Sequence, residues 1–475
     1  MSFRGLLFFA VLAGWPRAAE PVPNRPDPRE IPVPRIKTPS GELPGVDALP
    51  VRKEMPDVLT RDDGMKVTNL AQWPARRAEI RRTLEYYATG HVPPPPGNVQ
   101  GRVVKTDTAL GGEVTYRLVH LTFGPDEKLF LDIGIFAPRD GAPFPAIILQ
   151  SGSPPGAEPL PRLPQGPGQG RGLDVLLPAE ILQAQVAAAD AARGGGSARG
   201  APPPGRIPLT TAESLATRHR EVFRRGYALV VYNNNDCAED TTLRNADGSW
   251  AFRTTRFFPA YRGYDWGILA AWAWGASRVA DYLETDSAIA AKKLVITGAS
   301  RAGKSAMIAA AFDERFMGAP VVTGGGGVGA YRFAGPRNSE TLDVMQRKYP
   351  NWFSPNLHPF WGERDKLPFD QHWFIALCAP RPFIALEGNT DTISLPEAVR
   401  QSFLGARPAY ALHGAEHRLG VNYAAHGHAF TEEDWTALMD FADRHLRGKK
   451  VERSFERFPS EQQLDAALAR TRAAK

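Results

Sequence analysis

Ser300 lies in Gly298-Ala299-Ser300-Arg301-Ala302-Gly303, where the surrounding residue types suit nucleophilic chemistry. Leu294-Val295-Ile296-Thr297 ahead of it reads as a short buried strand. Ala306, Met307, Ala309, Ala310 and Phe312 behind it read as an Ala-rich helix able to pack close to a sheet. A strand, a sharp turn carrying a serine and then a helix make up a nucleophile elbow, in which small residues must flank the serine because backbone crowds the turn. Ala302 stands where the G-x-S-x-G pattern has glycine, and Gly303 follows one place later.

A serine hydroxyl is a poor nucleophile until an imidazole takes its proton. The imidazole in turn needs a carboxylate to hold its tautomer and stabilise the imidazolium. On a sheet entered through such an elbow, the chain order is serine, then acid, then histidine. Asp391 meets the second requirement, in EGNTDT just after the strand-like run Pro382–Glu387, with Glu387 as the fallback. His428 meets the third, in HGHAFTEEDW. Among the ten histidines, His428 is preferred because Thr431, Glu432 and Glu433 then open the last helix, which would hold it at the edge where the elbow points. His426 and His417 are rivals on the same loop, and His413 reads as the end of a strand over Ala409–His413. These histidines could instead hold a metal, but no Cys pair or helical H-E-x-x-H accompanies them, so neither metal nor cofactor is expected.

The backbone N–H of Arg301 falls at the usual oxyanion-hole position, and its guanidinium could reinforce that charge; an ordinary surface salt bridge is the alternative. Lys304 is one helical turn beyond Ser300. It could reach the same mouth and bind a polar or acidic substrate group, or be a solvated helix lysine, and spacing leaves both open.

These residues need a frame. From Pro145 onward strand and helix patterns alternate, which predicts a mostly parallel sheet covered on both faces. The strands are expected at Ala146–Gln150, Arg225–Asn233, the elbow strand, Gly318–Thr323, Pro382–Glu387 and Ala409–His413. The helices are expected at Arg262–Glu284, around Asp370–Leu377, from Leu395 and over Glu432–Leu446. Before them, Leu70–Tyr87 has helical spacing, and Arg102–Thr106, Val114–Phe123 and Lys128–Ala137 read as an antiparallel meander.

Hydrophobic residues make up 43% of the 475, enough for a large core. A net charge of +6 with scattered Lys and Arg gives no reason to expect nucleic-acid binding. Residues 1–19 read as a signal peptide, with Arg4, the apolar run Leu6–Trp15 and small Ala18-Ala19, so a secreted or periplasmic protein is expected with no stable membrane insertion. Residues 20–64 form a proline-rich arm, 65–450 the catalytic domain, and 451–475 a C-terminal tail. A Pro/Gly/Ala-rich insertion at 153–208 carries one candidate helix at Glu180–Ala192. The two cysteines, Cys237 and Cys378, leave both a pair and two free thiols open. A monomer is expected.

The run G-A-S-R-A-G-K at Gly298–Lys304 resembles the G-x-S-R-x-G-K signature of the glucuronoyl esterases, carbohydrate esterase family fifteen. The resemblance extends to WGILAAWAWGASRVADYL at Trp266–Leu283, to LPFDQHWFIALCAPRP at Leu367–Pro382 and to the loop His428–Trp435. It implies an α/β-hydrolase three-layer sandwich with a mostly parallel central sheet. It also implies a serine esterase cleaving esters between (4-O-methyl-)glucuronic acid of xylan and lignin alcohols in the plant cell wall. Ser300 and His428 match the family's nucleophile and base, Arg301 its oxyanion-hole arginine, and Lys304 its uronate-contacting lysine. Glu340 and Gln346 are the nearest counterparts of its sugar-contacting glutamate and glutamine.

Two positions depart from the pattern. Many members carry the acid ahead of a Ser-Gly-x-Gly-Gly run, where this chain has Thr323, which cannot act as an acid or base; this strengthens the later Asp391. The family often has a tryptophan two residues after that later acid, where this chain has Ile393, which offers neither a flat wall nor an N–H donor. A polysaccharide deacetylase or other carbohydrate esterase of the same fold is therefore the alternative activity. A non-catalytic carbohydrate-binding relative would not need the serine, acid and histidine together.

Overall fold

Short runs of aliphatic and β-branched residues, buried along their whole length, form the centre of the molecule. Phe144–Gln150 (β4) and Ala228–Tyr232 (β5) have no exposed residue, as expected for strands covered on both faces. The computed structural model describes residues 42–164, 211–333, 340–460 and 462–463. The signal-peptide reading of 1–19, the first half of the arm, the candidate helix at Glu180–Ala192 and most of the insertion lie outside the described residues.

The meander is present as β1 (Gln100–Ala109), β2 (Val114–Phe123) and β3 (Leu129–Pro138), paired antiparallel. The remaining strands are β6 (Ile289–Ala299), β7 (Phe316–Val321), β8 (Phe383–Gly388) and β9 (Leu419–Ala424). Together the described residues form a nine-stranded sheet in the order β1-β2-β3-β5-β4-β6-β7-β8-β9. It is antiparallel as far as β3–β5 and parallel from there to β9.

Helices cover both faces. The chain supplies α1 (Trp73–Leu84), α2 (Ala212–Arg218), α3 (Ile268–Leu283), α4 (Arg301–Phe312), α5 (Leu342–Lys348), α6 (His372–Cys378), α7 (Pro396–Leu412) and α8 (Glu432–Arg447). Ala146 and Ile148 of β4 belong to the core shared with α3 and α4, whereas Ile147 and Leu149 belong to the core shared with α2 and α8. The two-residue period of the strand thus divides one apolar run between two layers.

Three expectations change. The strand expected at Ala409–His413 is the end of α7: Phe403, Ala406, Ala409 and Tyr410 are buried at helical spacing, and His413 caps the helix. The last strand is β9, and Phe455 of the tail packs behind it against Phe441 at 5.0 Å. The helix expected from Arg262 begins at Ile268, because Gly267 is extended and sits against the backbone of Trp352, where a Cβ would come within 2.3 Å. The strand expected to reach Thr323 ends at Val321. Cys237 and Cys378 are both buried and unpaired. The described part of the arm lies on the body, with the Tyr87 hydroxyl donating to Pro44 O (2.5 Å) and His372 Nε2 2.7 Å from Pro56 O.

Candidate active site

The elbow turns on one residue. β6 ends at Ala299, α4 begins at Arg301, and Ser300 between them has φ 56° and ψ −123°. This is a strained backbone for a residue with a side chain, and the Ser300 N–H donates to Val321 O at 2.9 Å, which holds it there. Gly303 explains the displaced glycine of the sequence. A Cβ on it would come within 2.7 Å of Gly298 O and of Thr323 Cγ2, so α4 can approach β6 and β7 this closely only with glycine there. Arg301 is the first residue of α4, so its backbone N–H has no partner within the helix.

Asp391 and His428 come from different loops beyond the C-terminal ends of β8 and β9. His428 Nδ1 is 2.9 Å from Asp391 Oδ2. The Asp391 side chain is 1% exposed and the His428 side chain 40%, so the acid is sequestered and the imidazole reaches the surface. The other Asp391 oxygen accepts from Ile393 N at 3.1 Å. The two loops are tied together by Thr390 N donating to His426 O (3.1 Å) and Asn389 N to Ala424 O (2.9 Å). Behind His428, Thr431 caps α8 in a capping box with Asp434.

The rival histidines are engaged elsewhere. His426 Nε2 is 3.0 Å from Asp434, and its Nδ1 is 2.7 Å from Gly427 O. Burial disfavours its charged form, but these two acceptors outweigh burial and raise its pKa above the ordinary value. His417 packs near His445, ring centres 5.8 Å apart. Among the described residues no group of three His, Cys, Asp or Glu could hold a metal ion. Glu387, the fallback acid, is fully buried at the end of β8. Burial raises its pKa to about 8, with Asp391 adding to the rise and Ser394 opposing it. No hydrogen bond joins it to His428; its closest backbone partner is Thr323 N at 3.5 Å.

On the β7 side of the elbow, Lys304 is fully buried and its ammonium donates to Thr323 O and, at 2.7 Å, to Glu340 Oε2. The solvated-lysine reading is thus excluded, and Glu340 stands beside it. Gln346 is buried one turn into α5, with its Nε2 donating to Leu357 O at 2.8 Å; no hydrogen bond joins it to Lys304 or Glu340. The Ile393 carbonyl lies close to Gly324 and accepts from Glu340 N at 3.4 Å.

Sequence reasoning missed three neighbours. Asp240 forms an ion pair with Arg301 and accepts from Trp352 Nε1 at 2.7 Å. Trp352 stacks on Tyr349, 3.9 Å apart and within 8° of parallel, with the Arg301 guanidinium 5.3 Å from the Trp352 ring. The stacked pair supplies a flat aromatic wall beside Arg301 and Lys304, from a different segment than the one holding Ile393. Nothing local in C-A-E-D-T-T marks Asp240.

Residues 203–414 match the family model described as "Glucuronyl esterase, fungi". The chain is 27% identical over 419 residues to a carbohydrate esterase, MZ0003, from an unknown prokaryotic organism, covering 83% of this chain and 90% of that protein. It is 26% identical over 386 residues to a 4-O-methyl-glucuronoyl methylesterase of Neurospora crassa, covering 79% of this chain and 77% of that one. Among solved structures, a carbohydrate esterase family 15 glucuronoyl esterase from Caldicellulosiruptor kristjansonii superposes with a TM-score of 0.61 at 27% identity, over 88% of this chain and 98% of that one. A glucuronoyl esterase from Solibacter usitatus gives 0.62 at 26%, over 84% and 99%. By fold, elbow and these likenesses together, the chain is similar to the glucuronoyl esterases and has their α/β-hydrolase fold.

Proposed function

We propose that this protein is a serine esterase that hydrolyses esters of glucuronic acid, including 4-O-methyl-glucuronate carried on xylan, with lignin alcohols as the leaving groups. The observation that carries the reading is the Asp391–His428 hydrogen bond of 2.9 Å beyond the strand ends toward which a strained serine elbow opens. The relatives named 4-O-methyl-glucuronoyl methylesterase point to the substrate class.

Asp391 holds His428 with its Nδ1 protonated, which leaves Nε2 to take the Ser300 proton as Oγ attacks the ester carbon. The carbonyl oxygen becomes an oxyanion, and the Arg301 N–H at the helix start is the donor aimed at it. Collapse of this intermediate breaks the bond to the alcohol oxygen, which receives the proton from His428. Water then attacks the acyl-enzyme with His428 as base, releasing the uronic acid and restoring the serine. The Arg301 guanidinium, paired with Asp240, adds positive charge near the same point. Lys304 and Glu340 present one donor and one acceptor on the β7 side for sugar hydroxyls, with the Trp352 ring 6.0 Å from the Lys304 ammonium. In this reading Gln346 acts on the sugar only if its bond to Leu357 opens.

We propose further that residues 1–19 direct export, that 65–450 form one catalytic domain, and that the enzyme works as a secreted or periplasmic monomer. The apolar run Leu6–Trp15 supports export, and no helix among the described residues is long and apolar enough to cross a membrane. The deciding assay compares benzyl glucuronate, methyl glucuronate and acetylated xylan side by side, with Ser300→Ala as the blank. Turnover of the glucuronates above acetylated xylan is expected; the reverse order would make the protein a deacetylase.

A further inference from the structure

The elbow strand divides the site in two. Lys304, Thr323 and Glu340 lie on its β7 side, whereas β4 and β5 lie on the other. Over the ends of β4 and β5 is a cavity of about 460 Å³, lined by Gln150, Asn234, Trp272, Ala302, Phe430 and Trp435 among others, with Arg301 and Asp240 at its boundary with the elbow. That volume lies in the range of sites for small organic ligands.

Gln150 is the anomaly in this cavity. It is the last residue of β4, 2% exposed, and on the face of the strand that looks toward α4. Both Nε2 and Oε1 of its amide are buried, and neither has a hydrogen-bond partner among the described residues. A buried amide left without partners costs about 1–3 kcal/mol, and such groups in native proteins call for an explanation. The same cavity has a flat apolar stretch of lining: Phe430 and Trp435 stack with centres 4.7 Å apart and planes within 3°. His219 meets Trp435 edge-on at 4.7 Å, and burial lowers its pKa to about 4, so it adds no charge to this wall.

We propose that this cavity is the subsite for the alcohol half of the ester, and that Gln150 recognises a ring hydroxyl on an aromatic alcohol. The assignment rests on the glucuronate-ester reading for which half lies on which side: with the uronate on the β7 side of Ser300, the leaving group lies on the β4 side. A hydroxyl can satisfy both orphaned atoms, accepting from Nε2 and donating to Oε1. The stacked Phe430–Trp435 pair provides the face on which an aromatic ring lies.

Two free alcohols test the cavity without any ester chemistry: 3-(4-hydroxyphenyl)propan-1-ol and 3-phenylpropan-1-ol, titrated into the full chain by ligand-observed NMR. The hydroxylated alcohol is expected to bind about tenfold more tightly, the combined net size of two neutral hydrogen bonds to a buried amide. The preference should vanish in Gln150→Leu and in Gln150→Met, and Trp435→Ala should weaken both alcohols at least about fivefold. Equal affinities in the unaltered protein, no binding, or a preference that survives both Gln150 substitutions overturns the proposal. With the corresponding glucuronate esters, Gln150→Leu should lower the ratio of kcat/KM for the hydroxylated ester to that for the methyl ester about tenfold; equal losses on both would place Gln150 at the reacting carbonyl instead and overturn it. A protein that binds the alcohols with the expected preference but hydrolyses no glucuronate ester would reject the proposed activity and keep the cavity.

Discussion

His428 Nδ1 lies 2.9 Å from Asp391 Oδ2, although the two residues are 37 positions apart and belong to loops after different strands. The contact orients the His428 imidazole, which reaches the surface, and it does so with a carboxylate almost wholly removed from water, where its charge is least screened.

Replacement of the proposed nucleophile or base should remove turnover and leave the fold. Ser300→Ala and His428→Ala are each expected to lower kcat by about 10⁴-fold or more on glucuronate esters. Circular dichroism and thermal melting should match the unaltered protein. Substantial residual activity in purified Ser300→Ala protein would remove the elbow serine from the chemistry.

The acid can be separated from its neighbours. Asp391→Asn keeps the shape but favours the wrong tautomer of His428, so kcat should fall by about 10²–10⁴-fold. Glu387→Gln and Thr323→Ala should each change kcat far less. Equal small losses in all three variants would mean that another carboxylate serves.

Glu387 should leave a signature in stability against pH. Its pKa rises from 4.5 to about 8 on burial, so the folded protein binds a proton there that the unfolded chain has released. Stability from this group is therefore full below about pH 4.5 and falls as pH rises toward 8, by up to about 1.4 kcal/mol per pH unit. Denaturant melts of Glu387→Gln between pH 5 and 9 should show a flatter profile than the unaltered protein. Parallel profiles would show that Glu387 is already ionised in the fold.

Lys304 joins stability to specificity. Lys304→Met leaves the Glu340 carboxylate, 13% exposed, without its ammonium. Loss of one partner from such a buried pair costs about 3 kcal/mol, read as a lower midpoint in urea. On the refolded protein KM for glucuronate esters should rise more than KM for acetate esters; equal effects would leave Lys304 with a structural role alone.

Gly303→Ala tests the displaced glycine. The new Cβ would meet Gly298 O and Thr323 Cγ2 at 2.7 Å, and overpacking of this kind costs about 1–3 kcal/mol. Both the melting temperature and kcat should fall, because relief of the clash moves the start of α4 and with it the Arg301 N–H. An unchanged kcat would mean that the elbow tolerates the shift.

Much of the sheet and the elbow was legible because the rules that shape them act over a few residues. Alternating and continuous apolar runs located β1 to β8, and small residues around Ser300 marked the turn. Thr431 with its acidic followers located the start of α8, and the order of serine, acid and histidine followed from the order of the elements. The same local reading failed at Ala409–His413, where a short apolar run fits strand or helix equally, and burial against neighbouring elements settled the helix.

What the amino-acid sequence determined by itself is the strand–turn–helix around Ser300 and the candidates able to serve it. Only the tertiary structure decided the pairings. Asp391 rather than Glu387 bonds His428, Asp240 binds Arg301 across 61 positions, and Lys304 is buried on Glu340 rather than solvated. It also left the Gln150 amide without a partner in the cavity that Phe430 and Trp435 line. Hydrogen bonds, burial and the pKa shifts they cause depend on which loops meet at the strand ends, and that is set by the packing of distant segments, which short-range periodicity does not encode.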